Sequence, residues 1–231
     1  MKKIGIIGGL SVESTFEYYK IIARSYNKII GDSSSPNLVI DSLDLQKLTD
    51  WFAADEWDKV LEELYLSATN LIAAKAEVII MATNTPHIVF NELEVKVSKP
   101  MISIMDAVAK EIKKHNLKKV GLIGTKFTMQ GDYYQKAFEK YDLEVITPTP
   151  EDQETISRII YKELTFHILN DTSQEKYLEI IYRLHEKGAE GVILGCTEIP
   201  LLIKQEDCKI PVFDTTTIHA LSVLDYAMNE K

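Results

Sequence analysis

Short runs of Ile, Val, Leu and Met alternate along this chain with longer stretches whose apolar residues recur every three or four positions. The short runs are Ile4–Ile7, Leu38–Ile40, Val78–Met81, Met101–Ile104, Val120–Ile123, Leu143–Ile146, Val192–Leu194 and Val212–Phe213. They are largely apolar on both faces and do not alternate with polar positions, as expected of strands covered on both faces in a parallel sheet. Between them, Val60, Leu61, Leu64, Ala68, Leu71 and Ile72 share one helical face. Ser14-Thr15-Phe16-Glu17 and Thr172-Ser173-Gln174-Glu175 fit capping boxes. The helix carrying Tyr177, Ile180, Ile181 and Leu184 is expected to stop at Gly188 with a left-handed cap. This alternation predicts an α/β fold with parallel, doubly wound sheets and right-handed crossovers.

The pattern also repeats itself. Ala76-Glu77-Val78-Ile79-Ile80-Met81-Ala82-Thr83 aligns without a gap on Ala189-Glu190-Gly191-Val192-Ile193-Leu194-Gly195-Cys196, from 76 to 189 and from 83 to 196, an offset of 113 residues. Lys2-Lys3-Ile4-Gly5-Ile6-Ile7-Gly8-Gly9 is echoed by Lys118-Lys119-Val120-Gly121-Leu122-Ile123-Gly124-Thr125, and Tyr18-Tyr19 by Tyr133-Tyr134. Two similar lobes related by pseudo-symmetry are therefore expected, with an active site between them. Their predicted extents are 1–98 plus 213–231 and 99–212. Ligands of such sheets bind outside the carboxyl ends of the strands. There lie Gly8-Gly9-Leu10-Ser11, Asp41-Ser42, Thr83-Asn84-Thr85, Gly124-Thr125 and Cys196-Thr197-Glu198.

Composition narrows the function. A net charge of −9 argues against nucleic acid or an anionic membrane as partner, and no apolar run approaches the ~20 residues of a membrane span. Two cysteines among 231 residues make no disulfide framework, so a cytoplasmic location is expected. Gly5, Gly8 and Gly9 miss the dinucleotide spacing G-x-G-x-x-G. His87, His115, His167, His185 and His219 are scattered and suggest no metal site. Cys208, in Glu206-Asp207-Cys208-Lys209, reads as a surface thiol, and Trp51 and Trp57 as residues that cover the site or pack between helices.

The strand-end residues carry the candidate chemistry. Cys196 follows an apolar strand at an expected helix start, whose dipole would lower a thiol pKa from ~8.5 toward neutrality; the alternative is a buried structural cysteine. Thr83 holds the matching position and suits a ligand hydrogen bond or an assisted proton relay, or simply a turn. Thr85-Pro86 reads as an N-cap with proline at the first helical position. Asn84, Thr85 and Thr197 offer donors for a carboxylate at two helix starts, or plain caps. Thr125 and Thr128 extend that set, Thr128 as the expected cap of the helix through Tyr133 and Tyr134. Glu198 is placed to orient an ammonium or hold a proton, or is a first-turn helix acid.

At these residues the chain resembles the aspartate/glutamate racemase family. The matching stretches are Gly8-Gly9-Leu10-Ser11 with Glu13-Ser14-Thr15, Thr83-Asn84-Thr85-Pro86-His87, Gly124-Thr125 with Thr128-Met129, Gly195-Cys196-Thr197-Glu198, and Pro211-Val212-Phe213-Asp214-Thr215. The resemblance runs nearly end to end. It implies a homodimeric, cofactor-independent enzyme without pyridoxal phosphate that acts on a small amino acid. Catalysis then falls to Thr83 and Cys196, and substrate contacts to Leu10, Ser11, Asn84, Thr85, Thr125, Thr128, Thr197 and Glu198. Family members usually carry a cysteine in both copies; here Thr83 replaces the first, so the chain looks like an L-aspartate/glutamate-specific variant in which Cys196 serves the L face. Lys47 is the nearest basic candidate for a distal carboxylate, and Thr165 stands roughly where a lysine would be sought. The competing readings are a single-cysteine decarboxylase or cis-trans isomerase of the same fold, and a non-catalytic amino-acid-binding protein.

Overall fold

In the computed structural model, which describes residues 1–229, the chain divides into two compact units: Met1–Ile104 with the segment from Thr216 onward, and Met105–Thr215. In the first unit, β1 (Ile4–Gly8), α1 (Val12–Ile30), β2 (Leu38–Ser42), α2 (Leu45–Ala53), α3 (Trp57–Ala73), β3 (Val78–Met81) and α4 (Phe90–Lys96) follow one another, with a 3-10 turn at Thr85–Val89. The sheet order is β2-β1-β3, all parallel, with Ile4 in register with Leu38 and Val78. The run Met101–Ile104 is not a full strand. Ile79 N–H donates to the Pro100 carbonyl (2.9 Å) and Ile102 N–H to the Ile79 carbonyl (3.1 Å), leaving one parallel bridge between Ile79 and Met101. Those bonds tie residues 99–104, which the sequence pattern had assigned to the second lobe, to the first unit.

The second unit opens with α5 (Ile104–Lys114), then β4 (Lys119–Gly124), α6 (Lys126–Gln130), α7 (Tyr133–Glu139), β5 (Glu144–Ile146), α8 (Pro150–Lys162), α9 (Asp171–Glu186), β6 (Gly191–Gly195), α10 (Ile199–Leu202) and β7 (Val212–Asp214). Its parallel sheet runs β5-β4-β6-β7. With the Met101 bridge in the place of β7, the first sheet has the same order. The closing helix α11 (Thr215–Met228) sends Ala220, Val223 and Leu224 into the first core, against Ile4, Ile6, Tyr18 and Val78. Each fully buried aliphatic side chain there contributes roughly 1.5–3 kcal/mol, which is why continuous apolar runs become central strands.

Helix starts differ from the capping-box expectation. α1 begins one turn earlier, at Ser11, whose hydroxyl accepts the Ser14 N–H; Ser14 is buried, its hydroxyl given to the Ala82 carbonyl. α9 likewise starts from Asn170, which accepts the Thr172 N–H at 2.9 Å. Gly188, at φ 93°, closes α9 as expected. Trp57 stacks on Phe52 at 5.2 Å between α2 and α3. No helix among the described residues is long and apolar enough to cross a membrane.

Candidate active site

β6 carries five buried residues and delivers Cys196 at its carboxyl end. Space at Gly195 is tight: a Cβ would lie 3.0 Å from the Thr128 methyl and 3.1 Å from the Ile123 carbonyl. The Cys196 thiol is buried and donates to Glu198 Oε2 at 2.9 Å, and the Thr197 hydroxyl donates to the same oxygen at 2.9 Å. Burial, the adjacent Glu198 charge and the hydrogen bond to that carboxylate together push the thiol pKa well above its ordinary value. The main-chain amides of Glu198 and Thr197, which approach the sulfur, pull the other way and are outweighed. This reverses the expected helix-dipole effect. α10 starts only at Ile199 and spans four residues, too short and too far along to lower the thiol pKa. Cys196 therefore rests as a thiol hydrogen-bonded to the Glu198 carboxylate.

Thr83 follows β3 as Cys196 follows β6. It is half-buried, and Asn84 beside it is buried. The expected N-cap at Thr85 is not formed: Thr85 opens a 3-10 turn, with Asn84 at its cap position, Pro86 in its first turn and no side-chain cap bond. Asn84, Thr85 and Thr197 thus lie in tight turns and not at α-helix starts. Beneath the first turn lie two buried histidines. His87 Nε2 accepts the Ile104 N–H at 3.2 Å, so the neutral ring carries its proton on Nδ1, which faces the Thr83 and Asn84 carbonyls without closing a good hydrogen bond to either. His219 Nε2 donates to the Ile102 carbonyl at 2.8 Å, leaving Nδ1 to accept from the Tyr18 hydroxyl at 2.8 Å. Burial holds His87 well below, and His219 at about 4 against, the usual 6.5.

The remaining predicted residues distribute between the units. Ser11 caps α1, and the neighbouring Leu10 is buried; Thr15 accepts the Gly9 N–H at 2.9 Å and fixes that loop. Thr125, not Thr128, caps α6. Thr128 is buried inside α6, and α7 starts after Asp132 without a side-chain cap. Lys47 is paired with Glu63 at 2.9 Å and lies over the Trp51 ring, while the Thr165 hydroxyl donates to the Ile160 carbonyl at 3.1 Å. Neither presents a free charge. Cys208 is half-buried, its pKa raised to about 11 by burial and Asp207. No group of three or more His, Cys, Asp or Glu that could hold a metal ion occurs among the described residues.

Sequence reading missed Ser14, His87, His219 and Tyr133 as parts of these turns. His219 was weighed only as a metal ligand and His87 as that and as the last residue of a family-like stretch, and their partners lie up to 201 positions away in sequence, where no local spacing can reveal them.

Two α/β units with parallel sheets of like order, one ending in a thiol bonded to a carboxylate, define an α/β protein equipped for proton transfer. The chain belongs to the Asp/Glu/Hydantoin racemase family of isomerases, whose profile matches residues 7–223. It is similar over 99% of its length and 100% of the other chain to a putative Asp/Glu racemase from Yersinia pestis, with 40% identity and a TM-score of 0.94. An aspartate racemase homologue from Pyrococcus horikoshii matches with 42% identity, a TM-score of 0.88 and the same coverage. The broad specificity amino-acid racemase of Bacillus subtilis is 25% identical over 227 residues, 96% of each chain.

Proposed function

We propose that this protein racemises an acidic amino acid, aspartate or glutamate, with Cys196 as the base acting on the L isomer. The observation that carries this reading is the 2.9 Å bond from the Cys196 thiol to Glu198 in a chain of the racemase family. Glu198 accepts the thiol proton, and the thiolate, held by the Thr197 and Glu198 amides, removes the substrate α-proton. The carbanion is then protonated on its other face from the Thr83 side, by water or through the hydroxyl, giving the D isomer. The Glu198 proton returns to bulk water as the substrate-derived proton remains on sulfur, and the thiol is restored. The reverse direction requires a base at Thr83, and threonine is too weak an acid to supply one at rest. Exchange of the α-proton with solvent is therefore expected to be faster for the L isomer, whose proton faces Cys196, than for the D isomer. Aspartate and glutamate are preferred because they are the substrates named for the relatives, and no cofactor is invoked.

The test is α-proton exchange in D2O followed by NMR, with L- and D-aspartate and L- and D-glutamate offered separately. Exchange of an L isomer that disappears in Cys196→Ala is expected. No exchange with any of the four sinks the acidic racemase reading; faster exchange of a D isomer overturns the assignment of faces.

A further inference from the structure

We propose that Tyr133 is a positioning residue that fixes the Thr125 hydroxyl as a donor toward the α-carboxylate of the substrate. This rests on the racemase reading above. Gly124 of β4 is in register with Gly195 of β6, so Thr125 and Cys196 are the next residues on neighbouring parallel strands. Thr128 lies over both strand ends: a Cβ on Gly124 would meet its Cβ at 3.2 Å, and one on Gly195 its methyl at 3.0 Å. Tyr133 is buried and donates to Thr128 Oγ1 at 3.2 Å; Thr128 Oγ1 lies 3.1 Å from Thr125 Oγ1.

The direction of the chain follows from proton counting. Thr128 accepts from Tyr133, so its own proton needs an acceptor, and Thr125 Oγ1 is the one within reach among the described residues. Thr125 Oγ1 also accepts the Thr128 N–H at 3.3 Å. With both acceptor positions used, the half-buried Thr125 hydroxyl can only donate outward. Burial and the nearby Cys196 raise the Tyr133 pKa, keeping the phenol protonated as the head of the chain. A carboxylate beside Cys196 then meets a hydroxyl turned toward it, and such charge-assisted bonds are the stronger kind. The sequence reading had used Tyr133 as the echo of Tyr18 and as part of the helix that Thr128 was expected to cap.

The experiment is a double-mutant cycle on the full chain, Tyr133→Phe with Thr125→Ala, read by calorimetric binding of L-aspartate and of its α-carboxamide. Wild-type exchange of L-aspartate in D2O is recorded first. Tyr133→Phe is expected to weaken L-aspartate about tenfold, to leave the α-amide within about twofold, and to add nothing in the Thr125→Ala background. Thr128→Val interrupts the same chain and is expected to match Tyr133→Phe, which keeps the test valid if either variant folds poorly. Additive losses, or an equal loss for the α-amide, overturn the inference while wild-type exchange leaves the functional reading standing. A wild type that neither exchanges nor binds L-aspartate removes that reading, and this inference with it.

Discussion

The turns after β3 and β6 hold matching places in two sheets of like order and carry opposite chemistry. Each follows a fully buried parallel strand, and each is steadied by a hydroxyl on a strand-end carbonyl: Ser14 on Ala82 in the first unit, Thr215 on Leu194 (2.9 Å) in the second. Beneath Thr83 lie His87 and His219, buried and held neutral. Beside Cys196 lies a carboxylate that accepts the hydrogen bond of the protonated thiol. With different side chains at matching places, the proposed mechanism gives proton abstraction to the second copy and leaves the first to orient or to relay. Symmetry of fold does not carry symmetry of mechanism; that depends on which side chain can accept a proton within about 3 Å.

Removing the thiol is the strongest way to break the comparison. Cys196→Ala is expected to lower the exchange rate of the L isomer by roughly 10³-fold or more, at the upper part of the range for a positioned acid or base. A variant retaining more than a tenth of the activity would return the two turns to equal standing. Glu198→Gln separates two effects that usually move together. The carboxylate charge raises the thiol pKa, so its removal is expected to let Cys196 ionise at lower pH and be alkylated faster at pH 8. Exchange is nonetheless expected to fall about 10²-fold, because the proton acceptor has gone. An active variant with a lowered thiol pKa would mean that Glu198 merely suppresses the thiolate. Cys208, at about 11, serves as the internal reference for alkylation.

The histidines beneath the other turn predict an acid sensitivity. His219 titrates at about 4 in the fold against 6.5 ordinarily. Between those values the unfolded chain binds more protons, so stability rises with pH across the window. As pH falls through 6.5 toward 4, that stability is lost, about 2.5 kcal/mol by pH 4.5 for His219 alone. His87, lowered more strongly, acts in the same direction. Urea unfolding at pH 7, 5.5 and 4.5 measures it, with His219→Gln expected to flatten the slope. An unchanged slope would place the acid sensitivity elsewhere.

The strands were legible in sequence because a buried parallel strand must be apolar at every position, and the four residues of β3 and five of β6 are all buried. Met101–Ile104 misled because apolar burial is shared by a strand and by the single bridge with a helix start found there. Candidate positions 83 and 196 were legible through the repeat, but the state of the thiol was not. A rule for helix starts failed where four residues separate a tight turn from the following loop, and where Glu198 folds back onto the sulfur. Capping boxes failed at Ser14 for a related reason: its hydroxyl was drawn to a carbonyl 68 positions away. Local patterns specify where elements lie; partners distant in sequence decide what a polar side chain does.

The smallest expected effect sharpens the comparison furthest. Ser14→Ala and Thr215→Val each remove one buried hydroxyl from a strand-end carbonyl, and each is expected to cost about 1 kcal/mol of stability. Their effects on exchange are expected to differ. In the proposed mechanism the Cys196 thiol passes its proton to Glu198 across the 2.9 Å hydrogen bond, so a small displacement of the Leu194–Cys196 segment would lengthen that path. Protonation from the Thr83 side tolerates water as carrier, and water adjusts to a displaced turn. Thr215→Val should therefore slow exchange of the L isomer about fivefold, and Ser14→Ala less than twofold, at matched losses of stability measured by urea unfolding. Equal slowing would mean that the Thr83 hydroxyl is itself the proton carrier, since only a fixed donor is as sensitive to its turn as Cys196 is.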